Sequence, residues 1–223
     1  MFMRILILSL CLVGVQAVSQ NKMDSDEKIT KNKKIKLDQH AVKLVNRQLD
    51  AQEKTEKGTL SLDARDGDGM AVVQTVQMWE GTLQVELRGE NKPGGSFVGI
   101  AFNVKNDSTY EAVYFRPFNF KSDEKIRREH SIQYICHPDF GWSKLREQHE
   151  GVYEREFLNP PSPDDWFSVN LTISPEKVIV KETKSGQVLM EVGRLAKTTS
   201  GTIGLWVGNG SKGSFRNLSV PAQ

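Results

Sequence analysis

The chain has 223 residues, 26% of them charged and 38% hydrophobic, with 18 Gly and 8 Pro, so it has the makings of an ordinary globular core. Its 30 Lys and Arg oppose 28 Asp and Glu, a balance that leaves no electrostatic footprint for nucleic acid. The two cysteines, Cys11 and Cys136, are too few for a disulfide scaffold or a multi-cysteine zinc site.

Met1 to Ala17 has the three parts of a secretory signal: Arg4, the apolar run Ile5 to Val13, and the small-residue exit Val15-Gln16-Ala17. The run is shorter than the roughly 20 residues a bilayer core requires, so residues 1–17 are expected to be a signal peptide rather than a spanning helix. The expected location is secreted or periplasmic, with no stable membrane span after signal removal. Residues 18–36 are polar and crowd Lys28, Lys31, Lys33, Lys34 and Lys36, which reads as a flexible basic linker; contact with an anionic glycan is its functional alternative. Leu37 to Asp50 fits either a short helix or an opening strand.

Beyond Gly58 the apolar period becomes two. Leu83, Val85 and Leu87 alternate with polar residues, and Val98, Ile100, Phe102 and Val104 alternate with Gly99, Ala101 and Asn103; the same period returns at Phe167, Val169, Leu171 and Ile173, then at Ile203, Leu205 and Val207. Turn clusters such as Asn91 to Gly95 and Lys184-Ser185-Gly186 separate the runs, and residues 37–221 are expected to form one β-sandwich domain. Phe118 to Pro163 reads as a long irregular region, where a rigid β scaffold carries functional loops.

Gly208-Asn209-Gly210-Ser211-Lys212-Gly213 matches G-x-G-x-x-G, but Phe215 to Val220 reads as a strand where the dinucleotide fingerprint needs a helix. The expectation is a hairpin turn between two closing strands. Asp63, Asp66 and Asp68 in a glycine-rich loop could offer oxygen ligands to a structural calcium, although Ala64 breaks the calcium-loop spacing and turn chemistry accounts for the same residues. No other cofactor is implied. There is no G-x-S-x-G elbow, and Cys136 reads as an inert core thiol.

The face opposite the expected core offers Gly99 and Ala101, then Tyr110, Ala112, Tyr114 and Arg116, then Thr202, Gly204, Trp206 and Gly208. Small residues would leave room and aromatic ones would form its walls, a surface suited to the apolar C–H faces and hydroxyl rims of sugars. The loop region adds Asn119, His130, Gln133, His137, Trp142 and Arg146 as donors or stacking rings; an internal hydrogen-bond network pinning a long loop is the competing account.

The runs Ser96 to Phe102, Tyr110 to Arg116, Gly201 to Val207 and Gly213 to Val220 resemble secreted bacterial concanavalin A-like lectin/glucanase domains, nearest to the 3-keto-disaccharide hydrolase group. The resemblance covers about Leu37 to Val220. It implies an all-β fold, a concanavalin A-like jelly-roll β-sandwich of two antiparallel sheets, with glycan handled on a concave face by binding or cleavage. The acidic glucanase motif E-x-D-x-x-E is absent, and fold alone does not confer activity.

The expected function is therefore binding of an oligo- or polysaccharide by Tyr114, Arg116, Asn119, His130, Gln133, His137, Trp142, Arg146 and Trp206. The alternatives are a glycoside hydrolase or lyase, with His137 or His130 as base and Glu150 or Glu86 as acid, and a cell-surface protein-interaction module.

Overall fold

A computed structural model describes residues 32–50 and 57–222. The expected signal peptide lies outside the described residues, as does the expected linker up to residue 31. The alternating segments form two seven-stranded antiparallel sheets packed face to face. The first sheet runs in the order β1 (Asn32–Lys34), β14 (Gly213–Pro221), β5 (Gly81–Arg88), β10 (Phe167–Ile173), β11 (Lys177–Glu182) and β12 (Val188–Gly193), with β3 (Leu60–Leu62) also paired to β14. The second runs β2 (Val42–Val45), β4 (Gly69–Val73), β13 (Thr202–Val207), β6 (Val98–Asn106), β7 (Thr109–Phe115), β8 (Ile132–His137) and β9 (Glu154–Arg155). This is the all-β jelly-roll sandwich that the period-two pattern and the family resemblance imply.

The two sheets meet through the alternating apolar sets. Leu83, Val85 and Leu87 of β5 and Val169, Leu171 and Ile173 of β10 are buried, while their strand neighbours are half-buried, as expected where one face of a strand meets the core. By contrast, β6, β7 and β8 are buried along almost their whole length. Their outer faces are therefore covered as well. Phe115, Phe120, Phe157 and Phe167 interlock with ring centres 4.9–6.0 Å apart, which clamps the chain on either side of β8 and β9 against the core.

An ion pair between Glu111 and Arg194 is buried here. Glu111 is fully buried, accepting from Arg194 Nη2 (2.5 Å) and Nε (3.1 Å), from the Tyr134 hydroxyl (2.6 Å) and from Asn103 Nδ2 (2.8 Å). A buried carboxylate is tolerated when its oxygens are this fully engaged.

Three local expectations change, and one left open between two alternatives is decided. The Gly208–Gly213 segment is no hairpin turn: β13 pairs with β4 and β6, whereas β14 pairs with β1, β3 and β5, so the segment carries the chain from one sheet to the other. Alternation in both flanking runs looks the same whether their partners are shared or not. The region from Phe118 to Pro163 is not irregular throughout. It contains α1 (Lys125–Glu129), strand β8, α2 (Trp142–Gln148) and strand β9; β8 escapes notice because burial on both faces erases its alternation. Leu37 to Asp50 takes the strand alternative, in β2. Asn32–Lys34, which composition places in the linker, pairs with β14.

Candidate functional site

The covered face of the second sheet is built from rings laid over small residues. Gly99 of β6 lies opposite Tyr114 of β7, and a Cβ on Gly99 would meet Tyr114 Cβ at 2.6 Å. At Gly208 a Cβ would meet Phe97 Cβ at 2.8 Å. The small residues thus do not leave the open hollow that the sequence suggests; they let the Tyr114, Phe97 and Trp206 rings sit down on the sheet. Tyr114 and Trp206 pack with ring centres 4.9 Å apart, and Phe97 meets Tyr114 edge-on at 6.0 Å. Tyr114 and Trp206 are each only 2% exposed, so they form a floor rather than free stacking platforms. Burial pushes the Tyr114 hydroxyl pKa up to about 12.

Above this floor lies a pocket of about 260 Å³, lined by Asp68, Phe97, Tyr114, His137, Trp142, Trp206 and Asn209 among others. Trp142, the first residue of α2, is half exposed on its wall. His137 ends β8 beside Tyr110, with ring centres 5.1 Å apart, and its Nε2 lies 3.9 Å from Asp68 Oδ2. The Trp206 indole N–H donates to the Tyr110 hydroxyl at 3.2 Å, and that hydroxyl points on to Asp68 Oδ2 at 3.4 Å. Burial raises the Asp68 carboxyl above its ordinary pKa, against the pull of His137 and the Tyr110 and Asn209 hydrogen bonds. Burial lowers His137, opposed by the nearby Asp68 charge. The two groups are therefore shifted toward each other.

The Asp68 side of the pocket is held from behind by Arg47, whose Nη2 donates to the carbonyls of Gly67 and Gly208, each at 2.8 Å. Asn46 Nδ2 donates to the Asp66 and Asp68 carbonyls, and the Gly67 amide donates to Asn209 Oδ1 at 2.7 Å. Two loops far apart in sequence are so locked into one wall.

The residues expected at the site from sequence separate into two groups. Tyr114, His137, Trp142 and Trp206 line the pocket. Arg116, Asn119, His130, Gln133 and Arg146 do not, and join instead in a network beside it. Arg116 Nη2 donates to the Tyr114 hydroxyl (2.8 Å) and to Gln133 Oε1 (3.3 Å), and Nη1 donates to the His130 carbonyl (2.7 Å) and to Glu154 Oε1 (3.3 Å). Gln133 donates to the carbonyls of Tyr134 and Tyr153, and Asn119 to that of His130. Arg146 grips both Glu154 oxygens, at 2.9 Å and 2.5 Å. His130 Nδ1 is 3.0 Å from Glu154 Oε2 but is not aligned for a hydrogen bond; burial lowers its pKa.

Glu150 is exposed in the turn after α2 and is not among the pocket-lining residues, so it does not face His137 across this cavity. Glu86 lies in the other sheet, paired with Arg216 at 2.6 Å. Asp63 accepts from the Gln48 amide (2.6 Å) and Arg65 (2.7 Å) while Asp68 turns into the pocket; among the described residues no group of three or more His, Cys, Asp or Glu is placed to hold a metal. Cys136 is buried, its thiol pKa pushed up to about 11 by burial, which leaves it largely a thiol at neutral pH. Sequence reasoning missed Phe97, Asn209 and Glu154 as parts of this region. Asn209 falls within the G-x-G-x-x-G match but that motif says nothing of this pocket, and no motif marks Phe97 or Glu154; the sheet register and the sheet-to-sheet crossing bring them in.

A larger hollow of about 630 Å³, lined by Lys33, Val76, Met78, Trp79 and Pro221 among others, lies at the β1 and β14 side of the sandwich. The smaller pocket is the better candidate, because it alone of the two gathers titratable groups with shifted pKa values around aromatic rings. Among the described residues no helix is long and apolar enough to cross a membrane.

No protein-family model matches the chain, and no curated protein matches it significantly in sequence. Its fold does match solved structures. A carbohydrate-binding module of group 66 from Bacillus subtilis superposes with a TM-score of 0.56 at 9% identity, covering 80% of this chain and 93% of that one. A Bacillus subtilis protein of unknown function with a galectin-like fold gives 0.52 at 13% identity, covering 82% and 89%. A putative glycosyl hydrolase from Parabacteroides distasonis gives 0.50 at 12% identity, again covering 82% and 89%. At such identities the likeness is one of fold, a β-sandwich of the galectin-like kind.

Proposed function

We propose that this chain is an exported carbohydrate-binding β-sandwich that takes a sugar ring of an oligo- or polysaccharide into the pocket between Trp142 and the Tyr114–Trp206 floor. The observation that carries the reading is the half-exposed Trp142 indole facing a small cavity that also holds Asp68, His137 and Asn209. An indole covers the C–H face of a sugar, while the carboxylate and imidazole exchange hydrogen bonds with its hydroxyls. The cavity falls below the roughly 300–1,000 Å³ of drug-sized pockets, which suits one ring of a longer chain. The fold's likeness to a carbohydrate-binding module supports the same reading.

The test is a glycan array followed by calorimetric titration. A glycan that binds the parent protein should bind Trp142→Ala at least about tenfold more weakly, the scale of a lost anchor residue. Undiminished binding overturns the site. Export is tested by the N-terminus of the extracellular or periplasmic protein, expected near Val18.

A second reading, hydrolysis of a glycoside, draws on one observation: the Asp68 carboxylate and the His137 imidazole lie 3.9 Å apart on the wall of the same pocket, within reach of one substrate oxygen, the geometry that general acid–base catalysis requires first. Turnover of a glycoside panel that disappears in both Asp68→Asn and His137→Gln supports it. Absence of turnover at high protein concentration leaves binding alone.

A further inference from the structure

We infer that Glu154 is the positioning residue of the pocket, fixing the Trp142 indole through Arg146 without touching the cavity itself; the inference rests on the binding reading for its effect on affinity.

The argument begins with α2. It has seven residues, Leu145 is its one buried residue, and its N-cap, Gly141, offers no side-chain hydrogen bond. A helix this short has no independent stability in water, so the wall that carries Trp142 must be tied down by tertiary contacts. Leu145 supplies one tie. Lys144, over the Phe140 ring, is a weak second, and the firmest is Arg146, whose Nε and Nη2 engage the two oxygens of Glu154 at 2.9 Å and 2.5 Å. A guanidinium held by two nitrogens is fixed in plane, and it lies 5.1 Å from the centre of the Trp142 ring, one helical turn back. Glu154 itself stands on β9, paired to β8 through Gln133, with its side chain 4% exposed.

The same carboxylate reaches the floor. Arg116 Nη1 donates to Glu154 Oε1, while Arg116 Nη2 holds the Tyr114 hydroxyl and the guanidinium lies 5.0 Å from the Tyr114 ring. One buried acid thus sets both the indole on the wall and the phenol beneath it.

Removing Glu154 outright would strand Arg116 in the interior and could unfold the chain, so the test acts on Arg146, whose side chain is 36% exposed. Two measurements are made on the full chain. The first is a double-mutant cycle for the best array glycan: Arg146→Ala is expected to weaken binding about fivefold, and Arg146→Ala with Trp142→Ala to bind no more weakly than Trp142→Ala alone. Losses that multiply independently overturn the inference. The second needs no ligand: in a Trp79→Phe/Trp166→Phe background the remaining indoles are the half-exposed Trp142 and the buried Trp206, and time-resolved fluorescence anisotropy of the component accessible to an aqueous quencher, that of Trp142, should show a freer indole in Arg146→Ala and in Glu154→Gln, with Arg146→Lys failing to restore it. An equally rigid indole in these variants overturns the inference. If Trp142→Ala leaves binding unchanged, the binding reading falls, while the anisotropy still decides whether Glu154 and Arg146 hold the indole.

Discussion

Gly99 and Tyr114 lie directly opposite each other on β6 and β7, and the absence of a side chain at Gly99 is what admits the Tyr114 ring to the sheet beside Trp206. Gly99→Ala should therefore force a shift of the ring pair. The expected cost is about 1–3 kcal/mol of stability, the scale of overpacking a core, read from urea unfolding, together with weaker glycan binding. An unchanged urea midpoint would show that Tyr114 moves freely.

The acids of the 150–156 segment should differ sharply. Glu154→Ala leaves Arg116, 7% exposed, without its carboxylate, and should cost about 3–5 kcal/mol, as breaking one half of a buried pair does. Glu150→Ala, on the exposed turn, should stay within about 0.5 kcal/mol. Thermal or urea unfolding of the two variants side by side checks the contrast; equal effects would contradict the network described here.

Acid should weaken the fold through two imidazoles. Burial lowers both His130 and His137 from their ordinary value in the folded chain. Between that lowered value and the unfolded value of about 6.5, the unfolded chain binds more protons, so stability falls as pH drops through this window. Asp68, raised by burial, works in the opposite sense: the folded chain takes up its proton first, which offsets part of the loss on the acid side. The variant His130→Gln/His137→Gln should keep more of its neutral-pH stability at acid pH than the parent, measured by urea midpoints from neutral pH down to mild acid. Superimposable pH profiles would refute this.

Calcium should matter little. Asp63 is engaged by Arg65 and the Gln48 amide while Asp68 faces the pocket, so gathering the loop carboxylates around an ion would break existing bonds. Adding calcium to chelator-treated protein should leave Tm within about 1 °C; a concentration-dependent rise would reveal a site by linkage.

Much of the sandwich was legible because β5 and β10 each keep one face for the core and leave the other half-buried, so a period of two survives in the letters; β13 is covered on both faces, yet Thr202 and Gly204 still set off Ile203 and Leu205. Strand β8 was not legible, since Tyr134 goes into the core while Gln133 and Ile135 are covered on the other side, leaving no contrast between neighbours. Tyr114, His137, Trp142 and Trp206 could be grouped from residue chemistry alone. Arg116 and Arg146 carried the same chemistry, yet the carboxylate that claims them, Glu154, sits 38 and 8 positions away along the chain; only register reveals such a claim. Asp68 was readable as an acid in a glycine-rich loop, but not as a neighbour of His137, because that meeting depends on loops joined by Arg47 and Asn46.

The crossing at Gly208–Gly213 also bears on how the molecule is made. Strand β14 sits between β1 and β5 and pairs with β3 as well, although it is the last strand in sequence. A growing polypeptide can lay down every earlier segment and still lack the piece that joins its N-terminal strands to the middle of the first sheet. The β5–β10–β11–β12 half can pair without it, but completion of the sheet must await residues 213–221, and pairing so distant in sequence is slow, as in other non-local topologies. Nascent chains would keep β1, β3 and one edge of β5 without their partner strand until synthesis has passed this point.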